Sequence, residues 1–214
     1  MKYDTVIFDL DGTLLNSLDD LTDGVNYALG RFGYPQRSLE EVKNFVGNGV
    51  ERLMYQAVPE GTPDADTAAC LGVFREYYTK NMNNKTRPYD GIFELLKSLK
   101  AMGIKMAIVS NKFDGAVKEL RASLFAEYIA VAIGESETVR KKPAPDSIFL
   151  ALRELDSSVE SAIYVGDSDV DVKAAKNAGL KCAGVSWGFR SRSLLEAEGA
   201  DFIIDSPEEL LKIV

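Results

Sequence analysis

Acidic side chains recur in this sequence where a chain leaves a buried strand. Asp9 and Asp11 stand at i and i+2 in Phe8-Asp9-Leu10-Asp11-Gly12-Thr13-Leu14, after the apolar run Thr5–Phe8 and before a glycine that permits a tight turn. Asp167, Asp169 and Asp171 follow another apolar run that ends in Tyr164-Val165-Gly166. Ser110 and Asn111 come directly after Ile108-Val109, placing a hydroxyl and an amide at a strand end. Between these groups lies Lys141-Lys142-Pro143-Ala144-Pro145-Asp146, whose prolines restrict the backbone and help to aim a lysine. Each piece alone has an ordinary alternative: a solvated Asp-rich turn, a helix-capping serine, a surface lysine. Asp169 is read as solvated. Four polar groups recurring after successive strands are harder to explain that way.

The composition narrows the chemistry further. The chain has 214 residues and no histidine. That excludes Ser-His-Asp and Cys-His mechanisms and any His-ligated metal site within it. Reactivity must come from carboxylates, hydroxyls, lysines, backbone amides or an oxygen-ligated metal. With 25 Lys and Arg against 33 Asp and Glu, the formal charge is −8, which argues against a nucleic-acid surface. A small anionic substrate remains compatible if positive charge is concentrated locally. No apolar run reaches the roughly 18 residues of a membrane span, and the opening MKYDTVIFDLDG does not resemble a signal peptide, so a cytoplasmic location and no membrane partner are expected. Cys70 and Cys182 do not make a disulfide framework.

The elements that must position these residues are legible as alternating patterns. Short apolar runs at Thr5–Phe8, Met106–Val109, Val131–Ile133, Ala162–Val165, Cys182–Val185 and Phe202–Ile204 read as buried strands. Segments with apolar spacing near 3.6, such as Ile92–Met102 and Ser147–Leu155, lie between them. This alternation predicts an α/β fold: a doubly wound, mainly parallel, Rossmann-like core. From Ser17 to Met82 the rhythm breaks. Helical patterns at Leu18–Phe32, Leu39–Phe45, Val50–Ala57 and Ala65–Tyr78 suggest an inserted helical domain over 16–83, with the core formed by 1–15 and 84–214.

In this order, DLDGT, VSN, KKPAP and GDSDVD resemble the motifs of the haloacid dehalogenase superfamily, specifically its phosphatases, and the resemblance covers essentially the whole chain. The insertion looks like that superfamily's helical type 1 cap. The resemblance implies Asp9 as the nucleophile that forms an aspartyl-phosphate, and Asp11 as the acid that protonates the leaving oxygen and then activates water. It implies Mg²⁺ held by the side chains of Asp9 and Asp167 and the backbone carbonyl of Asp11. Ser110 and the backbone N–H of Asn111 would hold phosphoryl oxygens, Lys142 would supply positive charge, and Gly12 and Thr13 would complete a phosphate cradle. Asp171 could meet the metal through water, orient Lys142, or do neither.

The substrate is less clearly marked. Phe45-Val46-Gly47-Asn48-Gly49 looks like the cap segment of phosphoglycolate phosphatases and related pyrophosphatases, which makes Gly47 and Asn48 candidate substrate contacts. The bland alternative is a helix boundary, with Gly47 ending one helix and Asn48 opening the next. Ser186-Trp187-Gly188-Phe189 also resembles this subgroup, with Trp187 expected to pack. Arg87-Pro88-Tyr89-Asp90-Gly91 departs from the subgroup's usual tyrosine-proline-glycine at the return linker. A small phosphorylated metabolite of the phosphoglycolate type is therefore favoured. An inorganic pyrophosphatase and a sugar-phosphate mutase are the enzyme alternatives, and a non-enzymatic partner-binding protein is the other. Mutases with this cap usually carry glutamate-aspartate where this chain has Gly166-Asp167. The first strand is expected near the sheet centre, the second and third core strands to one side and the fourth to sixth to the other. A monomer and a homodimer are both compatible with the sequence.

Overall fold

The computed structural model describes residues 2–214. In chain order it contains β1 (Thr5–Phe8), β2 (Leu15–Asn16), α1 (Leu18–Arg31), α2 (Leu39–Phe45), α3 (Val50–Ala57), α4 (Asp64–Asn81), β3 (Arg87–Pro88), α5 (Ile92–Ala101), β4 (Lys105–Phe113), α6 (Asp114–Leu120), β5 (Val131–Glu135), α7 (Asp146–Glu154), β6 (Ala162–Gly166), α8 (Asp169–Ala178), β7 (Lys181–Val185), α9 (Arg192–Glu198) and β8 (Phe202–Ile204). The chain separates into two compact units, Met1–Leu15 with Pro88–Val214 and Asn16–Arg87.

The first unit is built on a six-stranded parallel sheet of order β5-β4-β1-β6-β7-β8. All four residues of β1 are buried, as a central strand covered on both faces requires. The chain runs outward from β1 through β4 to β5, then returns to β6 on the other side of β1. That reversal creates a switch point, where crevices open beyond the strands' carboxyl ends. Register brings the chemistry there: Phe8 is level with Ile108 of β4 and with Val165 of β6. Asp9, Ser110 and Asp167 therefore lie at nearly the same height along their strands, just beyond that level. Beneath them Ile7, Ala107, Val109, Tyr164 and Cys182 pack against Ile148, Leu152, Val172 and Ala175 from the helices. Cys182 and Cys70 are both buried free thiols.

β4 is longer than the apolar run Met106–Val109 suggests. It continues through Ser110, Asn111 and Lys112 because Phe113 regains pairing with Glu135 after a register shift. Polar residues thus occupy strand positions that hydropathy alone would end.

The second unit is helical. In α1 the buried residues Leu18, Leu21, Val25, Ala28 and Leu29 form one stripe, and Cys70, Phe74 and Tyr78 do so at i, i+4 and i+8 in α4. Gly24 lets the two helices approach, since a Cβ there would stand 3.0 Å from the Phe74 ring. Arg37 ties the start of α2 to the end of α3, its guanidinium donating to the carbonyls of Ala57 and Val58. Residues 84–87, expected with the core, cluster with this unit instead. The cause is Asp20, a buried carboxylate on α1 that accepts hydrogen bonds from the Lys85 and Thr86 N–H groups and the Thr86 hydroxyl. The two-residue strands β2 and β3, which hydropathy does not announce, pair where the chain passes between units.

Candidate active site

The turn after β1 is shaped by its glycine. Gly12 has φ +91°, and a Cβ there would fall 2.3 Å from Asp167 Oδ2. Only glycine allows the Asp9–Thr13 turn to close against the β6 turn. The N–H of Gly12 donates to the Leu15 carbonyl, and those of Leu14 and Leu15 donate to the Leu10 carbonyl. The loop after β7 completes the closure: the Phe189 N–H donates to Asp167 Oδ2 at 2.6 Å. Trp187 Nε1–H donates to the Thr13 carbonyl at 3.0 Å, so Trp187 braces the turn.

Lys142 is the hub. Its buried ammonium donates to Asp9 Oδ1 at 2.7 Å, Asp171 Oδ1 at 2.7 Å, the Tyr164 hydroxyl at 2.9 Å and the Val109 carbonyl at 3.2 Å. Its backbone is clamped by Asn111, whose side chain accepts from the Lys142 N–H at 2.7 Å and donates to the Lys142 carbonyl at 3.0 Å. Asp171 is fixed from both sides. Oδ1 receives Lys142 and Tyr164, while Oδ2 receives the Ser168 N–H and hydroxyl in the capping box that opens α8. Of the three roles open for Asp171, orienting Lys142 is the one seen in these hydrogen bonds. Asp169 points elsewhere, pairing with Lys173 one helical turn on.

Asp9, Asp167 and Asp171 offer carboxylate oxygens all within 4.8 Å of one another, and all three residues are buried. Burial raises the Asp9 pKa to about 7; Lys142 opposes the shift, and the charges of Asp171 and Asp11 reinforce it. Burial, with Asp171 and Asp9 nearby, pushes Asp167 well above the usual carboxylate range. Burial disfavours charge on Lys142 too, but Asp171 and Asp9 overcome it and hold the lysine protonated. Several hard oxygen donors crowded at low solvation are a donor set for a small divalent cation, which would relieve their repulsion. The donor set therefore fits a divalent cation.

Every core residue singled out from sequence lies in this region. Asp9, Ser110, Asn111, Lys142 and Asp167 are buried, and Thr13 reaches Asp167 Oδ1 only at a long 3.5 Å. The Asp11 carboxylate stands outside the three-carboxylate cluster and pairs with Lys112. Gly47 and Asn48 belong to the helical unit, in the turn between α2 and α3. Gly47 has φ +120°, and α3 is capped by Gly49 rather than opened by Asn48.

Four contributors escaped the sequence reading. Lys112 follows Ser110-Asn111 directly, and its charge was the available signal. Tyr164 looked like an ordinary strand aromatic. Gly188 permits the β7 loop to lie on Asp167, since a Cβ there would be 2.3 Å from the Asp167 Cβ. Tyr89, at the departure from tyrosine-proline-glycine, has its phenol pKa raised by burial and by the charges of Asp167 and Asp11.

Comparison with known proteins identifies the family. The haloacid dehalogenase-like hydrolase family matches residues 6–185. Phosphoglycolate phosphatase 1 of Pseudomonas aeruginosa is 34% identical over 212 residues, covering 96% of this chain and 78% of that one. The phosphoglycolate phosphatase of Aquifex aeolicus is 32% identical over 210 residues, covering 98% and 95%. A crystal structure from Lactobacillus delbrueckii subsp. bulgaricus, whose own name as a phosphoglycolate phosphatase is a predicted one, superposes with a TM-score of 0.94 at 35% identity, covering 100% of this chain and 98% of that one. The chain belongs to the haloacid dehalogenase-like hydrolase family, in its phosphatase branch.

Proposed function

We propose that this protein is a Mg²⁺-dependent phosphatase that hydrolyses small phosphate monoesters through an aspartyl-phosphate on Asp9, with phosphoglycolate-like substrates preferred. The observation that carries the reading is the Lys142 hub: one buried ammonium holds Asp9 and Asp171 in place at the switch point of the sheet. An Asp9 oxygen attacks phosphorus, and the bond to the leaving oxygen breaks as Asp11 gives that oxygen a proton. Asp11, now a carboxylate, takes a proton from water. The water oxygen attacks phosphorus, the bond to Asp9 breaks, and inorganic phosphate leaves.

Asp9 and Asp167 side chains and the Asp11 carbonyl would hold Mg²⁺, which when bound offsets the charge accumulated between carboxylates and phosphate. Ser110 and the Asn111 N–H would receive phosphoryl oxygens, with Gly12 and Thr13 completing the cradle and Lys142 adding positive charge. The helical unit would act as a cap, with Gly47 and Asn48 contacting the rest of the substrate. A cytoplasmic location is part of this reading; among the described residues no helix is long and apolar enough to cross a membrane.

Gly166 weighs against the mutase alternative. A Cβ at that position would stand 2.4 Å from the Asp171 Cβ, so the glutamate usual in mutases would displace Asp171 and with it Lys142. The test is phosphate release with Mg²⁺ across phosphoglycolate, pyrophosphate, glucose 1-phosphate and a nucleoside monophosphate, with Asp9→Asn as blank. Phosphoglycolate is expected to lead by at least about a hundredfold in kcat/KM, roughly 2.7 kcal/mol. Weak and equal hydrolysis of all four would remove phosphoglycolate from the proposal, and preference for pyrophosphate would replace it.

A further inference from the structure

We propose that Lys112 is a positioning residue that acts through Asp11, holding its carboxylate in the orientation that proton transfer requires. The inference rests on the phosphatase reading above and adds to it a residue that the reading does not use.

The geometry is specific. Lys112 Nζ donates to both oxygens of Asp11, at 3.1 Å to Oδ1 and 3.0 Å to Oδ2. The lysine side chain is 2% exposed and the aspartate side chain 12% exposed. A surface pair of this kind would contribute little, but a buried ammonium is costly to desolvate and needs a compensating partner. Lys112 is also locked at its base. It lies on β4 two residues beyond Ser110, and its N–H donates to the Ser110 hydroxyl at 3.2 Å. The strand that presents Ser110 thus also presents the group that grips Asp11. The two lysines divide the carboxylates between them: Lys142 holds Asp9 and Asp171, and Lys112 holds Asp11.

This arrangement addresses a need of the proposed reaction. Asp11 must face the leaving oxygen in one step and a water in the next. A carboxyl group free to rotate about its side-chain torsions would spend much of its time misdirected. Contact with both oxygens fixes the plane of the carboxylate as well as its position. Loss of that alignment can cost on the order of a hundredfold in rate without removing any reacting group.

The test uses the purified full-length protein with Mg²⁺ and two substrates. Phosphoglycolate releases a basic alkoxide that needs a proton, whereas p-nitrophenyl phosphate releases a weakly basic phenolate that does not. Lys112→Met is expected to lower kcat/KM on phosphoglycolate by about 10- to 100-fold and on p-nitrophenyl phosphate by less than about threefold, because kcat/KM reports the steps up to the aspartyl-phosphate and not its hydrolysis, which both substrates share. Introduced into Asp11→Asn, the same change should cost less than about twofold more, because the residue it acts through is already disabled. If Lys112→Met does not unfold cooperatively, Lys112→Gln is read by the same criteria. Equal losses in kcat/KM on both substrates, full additivity with Asp11→Asn, or a rise in KM for phosphoglycolate at constant kcat would each overturn the proposal; the last would make Lys112 a substrate contact. Wild-type turnover of p-nitrophenyl phosphate that Asp9→Asn abolishes checks the underlying reading separately. Its absence would remove that reading and this role with it.

Discussion

Two aspartates, one in each unit, are almost equally buried and meet that condition differently. Asp20 of the helical unit is 3% exposed and Asp9 of the core 6% exposed. Asp20 is surrounded by donors: two backbone N–H groups and a hydroxyl from the return linker converge on it. It fastens a loop. Asp9 shares one ammonium with Asp171, and its burial, reinforced by the charges of Asp171 and Asp11, raises its pKa to about 7 against the pull of Lys142. Burial alone does not mark a functional carboxylate. The mark is burial beside like charges, which leaves the group's needs unmet by the protein and open to a cation or a phosphoryl group. Asp9 and Asp167 in the core are buried beside like charges in this way, whereas Asp20 and Arg37 in the helical unit hold segments together.

The sharpest way to break this contrast is to neutralise each aspartate. Asp9→Asn should lower phosphatase turnover by more than about 10⁴-fold, measured as phosphate release, while leaving the fold intact. Next comes the hub. Lys142→Met should lower turnover by about 10²- to 10³-fold and cost about 3–5 kcal/mol of stability, read by denaturant unfolding, because it strands buried carboxylates.

The cation gives the third test. Without it, the raised pKa of Asp9 means that the folded chain keeps a proton the unfolded chain releases near 3.8. The stability linked to that proton is complete below pH 3.8 and lost as pH rises through about 7. The melting temperature of cation-free protein should therefore fall from pH 5 to pH 8, less steeply in Asp9→Asn. Mg²⁺ at about 100 times its Kd should restore about 2.7 kcal/mol, with its largest effect at pH 8, where it competes with fewer protons.

Smaller effects should come from the helical unit and sharpen the comparison. Asn48→Ala is expected to lower kcat/KM for phosphoglycolate about tenfold with p-nitrophenyl phosphate little changed, which would give the α2–α3 turn a part in selectivity. Asp20→Ala should cost about 1–3 kcal/mol by leaving buried N–H groups unpaired, seen as faster amide exchange at Lys85 and Thr86. Its turnover of p-nitrophenyl phosphate should change least of all.

The same contrast explains what could be read in advance. The strand order and the meeting of Asp9, Ser110 and Asp167 follow from alternating buried strands and a switch point, both written as apolar runs followed by polar residues. The extension of β4 through Lys112 was not legible, because polar residues at a strand end look like the start of a loop. The Lys112–Asp11 pair joins residues 101 positions apart, and no local pattern announces it. Tyr164 was hidden by its resemblance to ordinary core, since its ring is fully buried among apolar side chains and its hydroxyl meets Lys142 and Asp171 through contacts beyond its own strand. In the helical unit, the clip between Asp20 and residues 85–86 moved the boundary from Asn83 to Arg87, a long-range contact that composition could not supply.

The central claim is that Asp9 carries the phosphoryl group between substrate and water. It is tested most directly by acid-quenching the wild-type protein during turnover and mapping the labelled phosphate by peptide mass spectrometry. The account predicts an acyl-phosphate on the peptide that contains Asp9, absent from Asp9→Asn. Phosphate found on Ser110, or turnover proceeding at full rate with no phosphorylated peptide at any quench time, would contradict it.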